Sequence, residues 1–543
     1  MNKLTNYFHQ RDRGWMLSLM AAACLVYLPF LGNAFFFDDQ YFFSTDSAGR
    51  HALTDFNFGL RWISYATLDL SVVLFSDAVP HLFHVGNLLL HAANVIALFY
   101  LLRYLMDALA PDTGKPSTVI WGAWSGALIF ALHPVAVYAV GYVVQRSIVM
   151  ATLFVLLMQM AFLRGLLTGR ARWLVLAVAC YFLAVFSKEH SVLAPTLLLA
   201  LTWLLRAKVM CSKRTLWLTW AAFLAVGLLV TMLAKGVLGS PYEEMAAESI
   251  AQRGLESDAA TLHLLSALTQ AGLFFKYLAL WLLPNVAWMS VDMREPFVAT
   301  FSDWAGWLGL AGFCAYGVVA LRLLLTGGGK GLVGFALLYP WLQFGVELVG
   351  VRVQEPFVLY RSYLWMPGLM LLVPLLFLHV SRRSMLLLPI LAALILTPLS
   401  WNRLWILGDD YRLWNDAALL LKHEKVEGAD RIYYSRGQAL MALSKWEEAA
   451  FDFERAAAIS PRLEPTRFLL GKAYLNAGRL HEALAQFDIA IALKDDDDRV
   501  YFFKGVALMR LHRGVEARQQ FERSCKMKGN IAACLMLSSP ARR

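Results

Sequence analysis

The chain reads as all-α: a bundle of membrane-length helices followed by a solenoid of short helix pairs. Two observations predict this. Apolar stretches of roughly 18–22 residues, the length that crosses a bilayer, recur as far as Trp401. Beyond it the hydropathy collapses and small residues recur with a period of 34. Composition agrees: 543 residues are 59% hydrophobic and 16% charged, with mean hydropathy +0.53. A soluble chain carries about a quarter charged residues.

The first apolar run, Met16–Leu31, follows Arg11 and Arg13 and lacks a small-residue cleavage site before Asn33. It predicts a retained helix rather than a signal peptide. Further spans are predicted at Leu82–Tyr104, Val119–Ala136, Ile148–Leu163, Trp173–Phe186, Val192–Leu205 and Leu216–Ala234. Four more follow at Trp304–Leu324, Leu332–Val349, Tyr360–Leu378 and Met385–Trp401. Gln270–Pro284 is also apolar. If it crossed fully, the basic segments around Lys330 and Arg382–Arg383 would fall outside, so a re-entrant or interfacial segment is expected there. The result is 11 crossings with the N-terminus inside and the C-terminus outside.

The net charge of +10 does not point to nucleic acid. Its cations sit in short loops, at Arg164, Arg170 and Arg172 and at Arg206, Lys208, Lys213 and Arg214, the positive-inside pattern that meets anionic lipid. No zinc spacing appears among the six cysteines. Cys525 and Cys534 are read either as a disulfide or as two free thiols.

On this topology the outer face gathers ionisable groups at membrane depth, where they are costly and usually functional. Asp38 and Asp39 lie in "NAFFFDDQYFF", among Phe35, Phe36, Phe37, Tyr41, Phe42 and Phe43. Arg146, Lys188 and Arg361 are cations at helix ends; His133, before Pro134, and His190 add polar donors. A carboxylate can take the proton of a hydroxyl acceptor, and Arg and Lys can hold a departing phosphate. Glu347 is either a site residue or buried against a partner such as Arg352. Asp292 is a candidate substrate contact or a solvated loop residue. Asp495–Asp498 reads as an inter-repeat turn.

The C-terminal period has a specific form. Gly437, Gly471 and Gly505 are 34 apart, as are Ala449, Ala483 and Ala517, and Phe453, Phe487 and Phe521. A 34-residue unit with small residues where two helices touch is the tetratricopeptide signature, and three units are present. Such stacks present concave grooves for peptides. The expected domains are 1–405 in the membrane, a connector at 406–430 and repeats with a terminal cap at 431–536.

The order of motifs adds a resemblance. The Asp-Asp pair is followed by "HPVAVYAVGYVVQRSIVMATLFVLL", "FSKEHSVLAPTLL", "KYLALWLLPNVAWMSVD" and "YRSYLWMPG", then by the repeats. This order resembles the transmembrane and tetratricopeptide-repeat-containing O-mannosyltransferases and their bacterial relatives, of the GT-C superfamily. The resemblance implies a GT-C fold and a polyprenyl-phosphate-linked sugar donor. Its acidic motif falls on Asp38 and Asp39, its His-Pro element and following Arg on His133, Pro134 and Arg146, its Lys-Glu pair on Lys188 and Glu189, and its Arg on Arg361. Val137 and Tyr138 stand where the family shows Thr-Glu, and Ser147 and Ile148 where eukaryotic members show Ala-Asp; these departures bear on the sugar more than on the reaction.

The expected activity is transfer of one sugar from a polyprenyl-phosphate donor to a hydroxyl, on Ser or Thr of an exported protein such as a pilin, by one inverting displacement. Asp38 is the expected base and Asp39 orients it. His133, Arg146, Lys188, Glu189, Arg361 and Tyr363 are expected at the donor phosphate or substrate, with Asp292 and His190 as further contacts. A divalent cation is the one candidate cofactor, and it would fall to Asp38 and Asp39. The expected partners are the donor, a protein bound by the repeats and membrane lipid, with no nucleic acid. The expected location is a bacterial inner membrane with site and repeats in the periplasm. A surface glycan or lipid acceptor, or a non-catalytic repeat-bearing scaffold or transporter, are the alternatives.

Overall fold

The computed structural model describes residues 12–40, 59–75, 79–109, 116–234, 259–353, 355–422, 426, 428–528 and 530–538. Tyr41, Phe42, Phe43 and Arg11 therefore lie outside the described residues. Among the described residues the structure is helical with no strand. The chain divides into two compact units, one of residues 1–291 and 295–409, the other of residues 292–294 and 410–543.

In the first unit the helices are α1 (Arg13–Tyr27), α2 (Trp62–Phe75), α3 (Pro80–Leu109), α4 (Pro116–Leu132), α5 (Arg146–Thr168) and α6 (Ala171–Ser187). They continue with α7 (Pro195–Leu204), α8 (Lys213–Leu233), α9 (Ala259–Leu282), α10 (Trp304–Thr326), α11 (Gly328–Val349), α12 (Leu372–Phe377) and α13 (Arg382–Leu407). Eight helical segments among the described residues are long and apolar enough to cross a membrane. Of the apolar window of α5, 72% is buried, against 17% for α8. On α8, Trp217, Leu218, Leu224 and Met232 all face outward. A helix that is apolar all round yet covered on one side only needs an apolar solvent on the other.

Prolines and glycines set the breaks. His133 precedes Pro134, whose missing N–H and ring disfavour continuing the helix, and α4 stops at Leu132. Lys188 is extended after α6, a 3₁₀ turn follows at Glu189–Leu193, and Pro195 opens α7. Between α10 and α11, Gly327 takes φ +73°, a conformation open to glycine. The hairpin is tight: a Cβ on Gly334 would lie 2.2 Å from the Leu324 nitrogen.

Two expected spans differ in the structure, and a third segment forms a longer helix than its hydropathy peak. Gln270–Pro284, expected to be re-entrant or interfacial, largely falls within the uninterrupted helix α9. The preceding Ala259–Thr269 segment is less apolar but packs Leu262, Leu265 and Leu268 into a cluster with Val351 and Val353, so helix extends beyond the hydropathy peak. Tyr360–Leu378 is not one helix. It consists of 3₁₀ segments Leu359–Leu364 and Met366–Leu371 leading into the six-residue α12. Val192–Leu205 contains only the ten-residue α7. One helix was not foreseen: α2 has 14 residues, too few to register as a span.

The second unit starts with α14 (Asp410–Leu420) and then stacks α15 (Ala429–Ala442) with α16 (Trp446–Ile459), α17 (Glu464–Asn476) with α18 (Leu480–Leu493), and α19 (Asp498–Arg510) with α20 (Gly514–Lys528). A last helix, α21 (Ile531–Ser538), follows. The 34-residue period has a packing cause. A Cβ on Gly437, Gly471 or Gly505 would lie 2.8, 2.5 or 2.6 Å from the ring of Phe453, Phe487 or Phe521. Each first helix thus needs a bare glycine under the phenylalanine of its partner. Ala449, Ala483 and Ala517 are fully buried beside them. Of the two readings for its cysteines, the structure has the disulfide Cys525–Cys534, which ties α21 to α20. Asp497 caps α19 through the Arg499 N–H, consistent with the inter-repeat turn.

Candidate functional site

The segment after α1 is held on both sides. Asn33 donates to the Leu404 carbonyl at 2.7 Å, and Phe36 stacks on Tyr142 at 4.8 Å. Phe37 adopts φ +52°, a conformation costing a bulky residue on the order of 1 kcal/mol or more. The next two carboxyls have opposite environments. Asp39 is fully buried. Its oxygens accept the Val143 N–H at 3.1 Å and the Val144 N–H at 2.7 Å. Those amides lie in the 3₁₀ turn Val143–Gln145 at the start of α5, where N–H groups lack helical partners. Burial raises the Asp39 carboxyl well above the usual range, against the lowering effect of those two amides.

Asp38 is exposed, and its backbone N–H donates to Tyr142 Oη at 3.0 Å. Its carboxylate makes no hydrogen bond or ion pair with the described residues. Both oxygens of Asp39 thus accept backbone N–H groups. Among the described residues no group of three His, Cys, Asp or Glu could hold a metal ion.

The break between α6 and α7 brings a cation to the same place. Lys188 is buried; its Nζ donates to Gln145 Oε1 at 3.4 Å and lies 5.7 Å over the Tyr360 ring. Tyr360 in turn packs edge-on against Tyr142. No carboxylate of the described residues lies within ion-pair distance of Lys188. Burial, with Arg61 next, lowers its ammonium to about 7.

Behind Lys188 runs a chain of charges, partly exposed at Arg61 and Glu189 and fully buried at Glu347. Arg61 grips Glu189 with two bonds, Nε to Oε2 at 3.0 Å and Nη2 to Oε1 at 2.6 Å. His190 lies 3.4 Å from Glu189 and 3.3 Å from Glu347. Glu347, in the last turn of α11 and fully buried, meets Arg361 at 2.9 Å and Arg352 at 3.1 Å. Its partner is thus Arg352, as one of its two sequence readings had it, together with Arg361.

The structure therefore brings Asp38, Asp39, Lys188, Glu189, His190 and Arg361 into one connected cluster around Tyr142 and Tyr360. Four other nominated residues lie elsewhere. Arg146, expected at a phosphate, is consumed by protein: Nε donates to Asn87 Oδ1 at 2.9 Å, Nη1 to Thr67 O and Ser71 Oγ, and Nη2 to Phe83 O at 3.0 Å. It braces α2 and α3 against α5. The bare Gly86 leaves room for it, since a Cβ there would lie 2.6 Å from Nη2. His133 stacks on Trp281 at 4.3 Å and meets its carbonyl at 3.1 Å. Tyr363 is fully buried with its hydroxyl 2.7 Å from His91 Nδ1. Asp292 is paired with Arg294 at 2.6 Å, in the short segment that groups with the second unit.

Sequence reasoning missed Arg61, Tyr142, Gln145 and Asn87. Asn87 donates to the carbonyls of Val140, Tyr142 and Val143 and accepts from Arg146, so it shapes the turn that offers its amides to Asp39. Polar residues inside an apolar run, Asn87 with His84, His91 and Asn94, were the available signal. Arg61, too, has left-handed backbone, φ +62°. Among the described residues of the first unit, Phe37 and Arg61 are the two non-glycines in that region, and both border the cluster.

Comparison with known proteins bears on the second unit. Two family models described as tetratricopeptide repeat match, over residues 430–463 and 468–530. The C-terminal region carries tetratricopeptide repeats. Solved structures with detectable similarity include the crystal structure of MamA, 23% identical over 25% of this chain and 79% of that one, with TM-score 0.21. YrrB, a tetratricopeptide-repeat protein described as having an unusual peptide-binding site, is 18% identical over 28% of this chain and 80% of its own, with TM-score 0.23. The Cut9–Hcn1 hetero-tetramer of the APC/C is 13% identical over 88% of each chain, with TM-score 0.24. No curated protein matches.

Proposed function

We propose that the first unit is a membrane glycosyltransferase of GT-C type, moving one sugar from a polyprenyl-phosphate donor to a hydroxyl of an exported protein. The observation that carries this reading is an exposed carboxylate, Asp38, connected through Tyr142 and Tyr360 to a buried cation, Lys188, that meets no carboxylate of the described residues. Asp38 takes the acceptor proton as the hydroxyl oxygen bonds to the anomeric carbon. The bond from that carbon to the phosphate oxygen breaks, and the lipid phosphate leaves with the electron pair. Lys188 and Arg361 hold the charge that develops on it. Asp39 is a positioning residue, fixing Asp38 through the amides of Val143 and Val144.

The repeats favour a protein acceptor, because tetratricopeptide stacks commonly bind peptides. The motif order quoted from the sequence supports the same reaction class. In this scheme the site and the repeats face the periplasm of a bacterial inner membrane.

Replacing Asp38 by Asn at equal membrane abundance tests the reading through intact masses and glycopeptides of envelope proteins. Loss of a sugar-sized mass from a Ser or Thr protein is the expected result. Unchanged protein masses with a changed glycolipid profile would move the acceptor to lipid or glycan. No change in either would leave a repeat-bearing scaffold.

A further inference from the structure

Two loops that carry no part of the cluster above are joined into one basic surface. Arg164 lies in the last turns of α5, Arg170 in the turn that follows and Arg172 at the start of α6; Arg206 and Lys208 lie between α7 and α8, and Lys213 and Arg214 open α8. Met210 N–H donates to the Leu166 carbonyl at 2.8 Å, which seats the second loop on the first. Gly169 makes that contact feasible: it has φ +67°, and a Cβ there would lie 2.9 Å from Met210 O. Lys208 Nζ ties the loop to the last turn of α3 through the Ala108 carbonyl at 2.6 Å.

Among the described residues these cations have no anionic partner. Apart from Glu189, the sequence has no Asp or Glu between Asp112 and Glu243. Glu189 follows the far end of α6, about 25 Å along the helix from Ala171. None of the cations forms an ion pair with a described residue. Asp107, at the end of α3, is 3.9 Å from Arg103.

Aromatic and apolar surface accompanies them. Arg164 lies 4.1 Å and Arg172 5.5 Å from the Trp173 ring, and Arg206 lies 4.4 Å over Trp203. Trp217 and Met210 are exposed beside them. Tryptophan and arginine at the ends of membrane-length helices occupy the depth of the headgroups.

We propose that this joined surface is a binding site for the phosphate headgroup of an anionic phospholipid, with Trp173 and Trp203 set against the glycerol and upper acyl region. A surface of cations with no acidic partner among the described residues, flanked by the outward apolar face of α8, fits a headgroup whose tails lie along α8, and a soluble anion has no use for that apolar flank. The inference is independent of the proposed glycosyltransfer.

The test uses the full chain in detergent, offered phosphatidylglycerol or phosphatidylcholine, with retained lipid counted by native mass spectrometry. The expected result is preferential retention of phosphatidylglycerol, weakening with added salt. Changing the exposed Arg170, Arg172 and Arg206 together to Gln is expected to weaken it roughly a hundredfold, about fivefold per charge. Changing the same three to Lys should keep most of it. Equal retention of both lipids by the parent chain, or an unchanged preference in the Gln variant, overturns the proposal. So does displacement of the lipid by excess inorganic phosphate, which would mark a site for the free anion. If the Gln variant does not fold, the salt dependence and the Lys variant still decide.

Discussion

Lys188 shows what one side chain's surroundings decide. With its ammonium lowered to about 7, it is charged below that pH and a neutral amine above it. A donor phosphodiester prefers the ammonium, so above pH 7 binding must take up a proton. Apparent donor affinity therefore falls as pH rises from about 7, by up to tenfold per unit. A KM-against-pH profile checks this, and Lys188→Arg, charged throughout, flattens it. Arg146 belongs to another class of residue. Arg146→Met would leave Asn87 Oδ1 without its Arg146 donor in a buried site and remove the brace between α2, α3 and α5, at about 1–3 kcal/mol. Thermal unfolding in detergent should register that loss, with a matching drop in any activity that no pH change restores.

At the scale of elements, the repeats are governed by a glycine under a ring. Gly471→Val drives a branched side chain into Phe487, and overpacking of this kind costs about 1–3 kcal/mol. The expected outcome is a lower midpoint for the C-terminal unit, seen as earlier protease cleavage there, while the membrane unit is unaffected. Gly478→Ala contrasts with it. Its φ of +83° strains an alanine, but no atom lies near the added Cβ, so its effect on α17–α18 packing should be smaller. The break at Ser187–Pro195 works in the same way for the site. A continuous helix would leave no extended Lys188 and no 3₁₀ turn to set Glu189 and His190 side by side.

For the whole molecule, the outward apolar faces of α8, α10 and α13 demand a lipid environment. Alkaline carbonate washing should therefore leave the chain in the membrane pellet; its release into the supernatant would refute the reading of these helices as spans. The second unit shows the opposite pattern. It buries its own apolar core around Phe453, Phe487 and Phe521, as a water-facing stack requires.

The sequence by itself determined what repeats or accumulates along the chain. Apolar length marked the spans, and the 34-residue spacing marked the repeats, because a period is a local property that survives without contacts. It also nominated Asp38, Asp39, Lys188 and Arg361, since charge beside membrane-length apolar runs is conspicuous. Only the tertiary structure separated Asp38 from Asp39, because adjacency in sequence says nothing about which carboxyl meets the amides of Val143 and Val144. Only the fold revealed that Arg146 is satisfied by carbonyls of α2 and α3, that His133 stacks on Trp281 and Tyr363 meets His91, and that Arg61 grips Glu189 from 128 positions away. Those assignments rest on which donors and acceptors meet after packing, and a buried polar group is defined by its partners rather than by its neighbours in the chain.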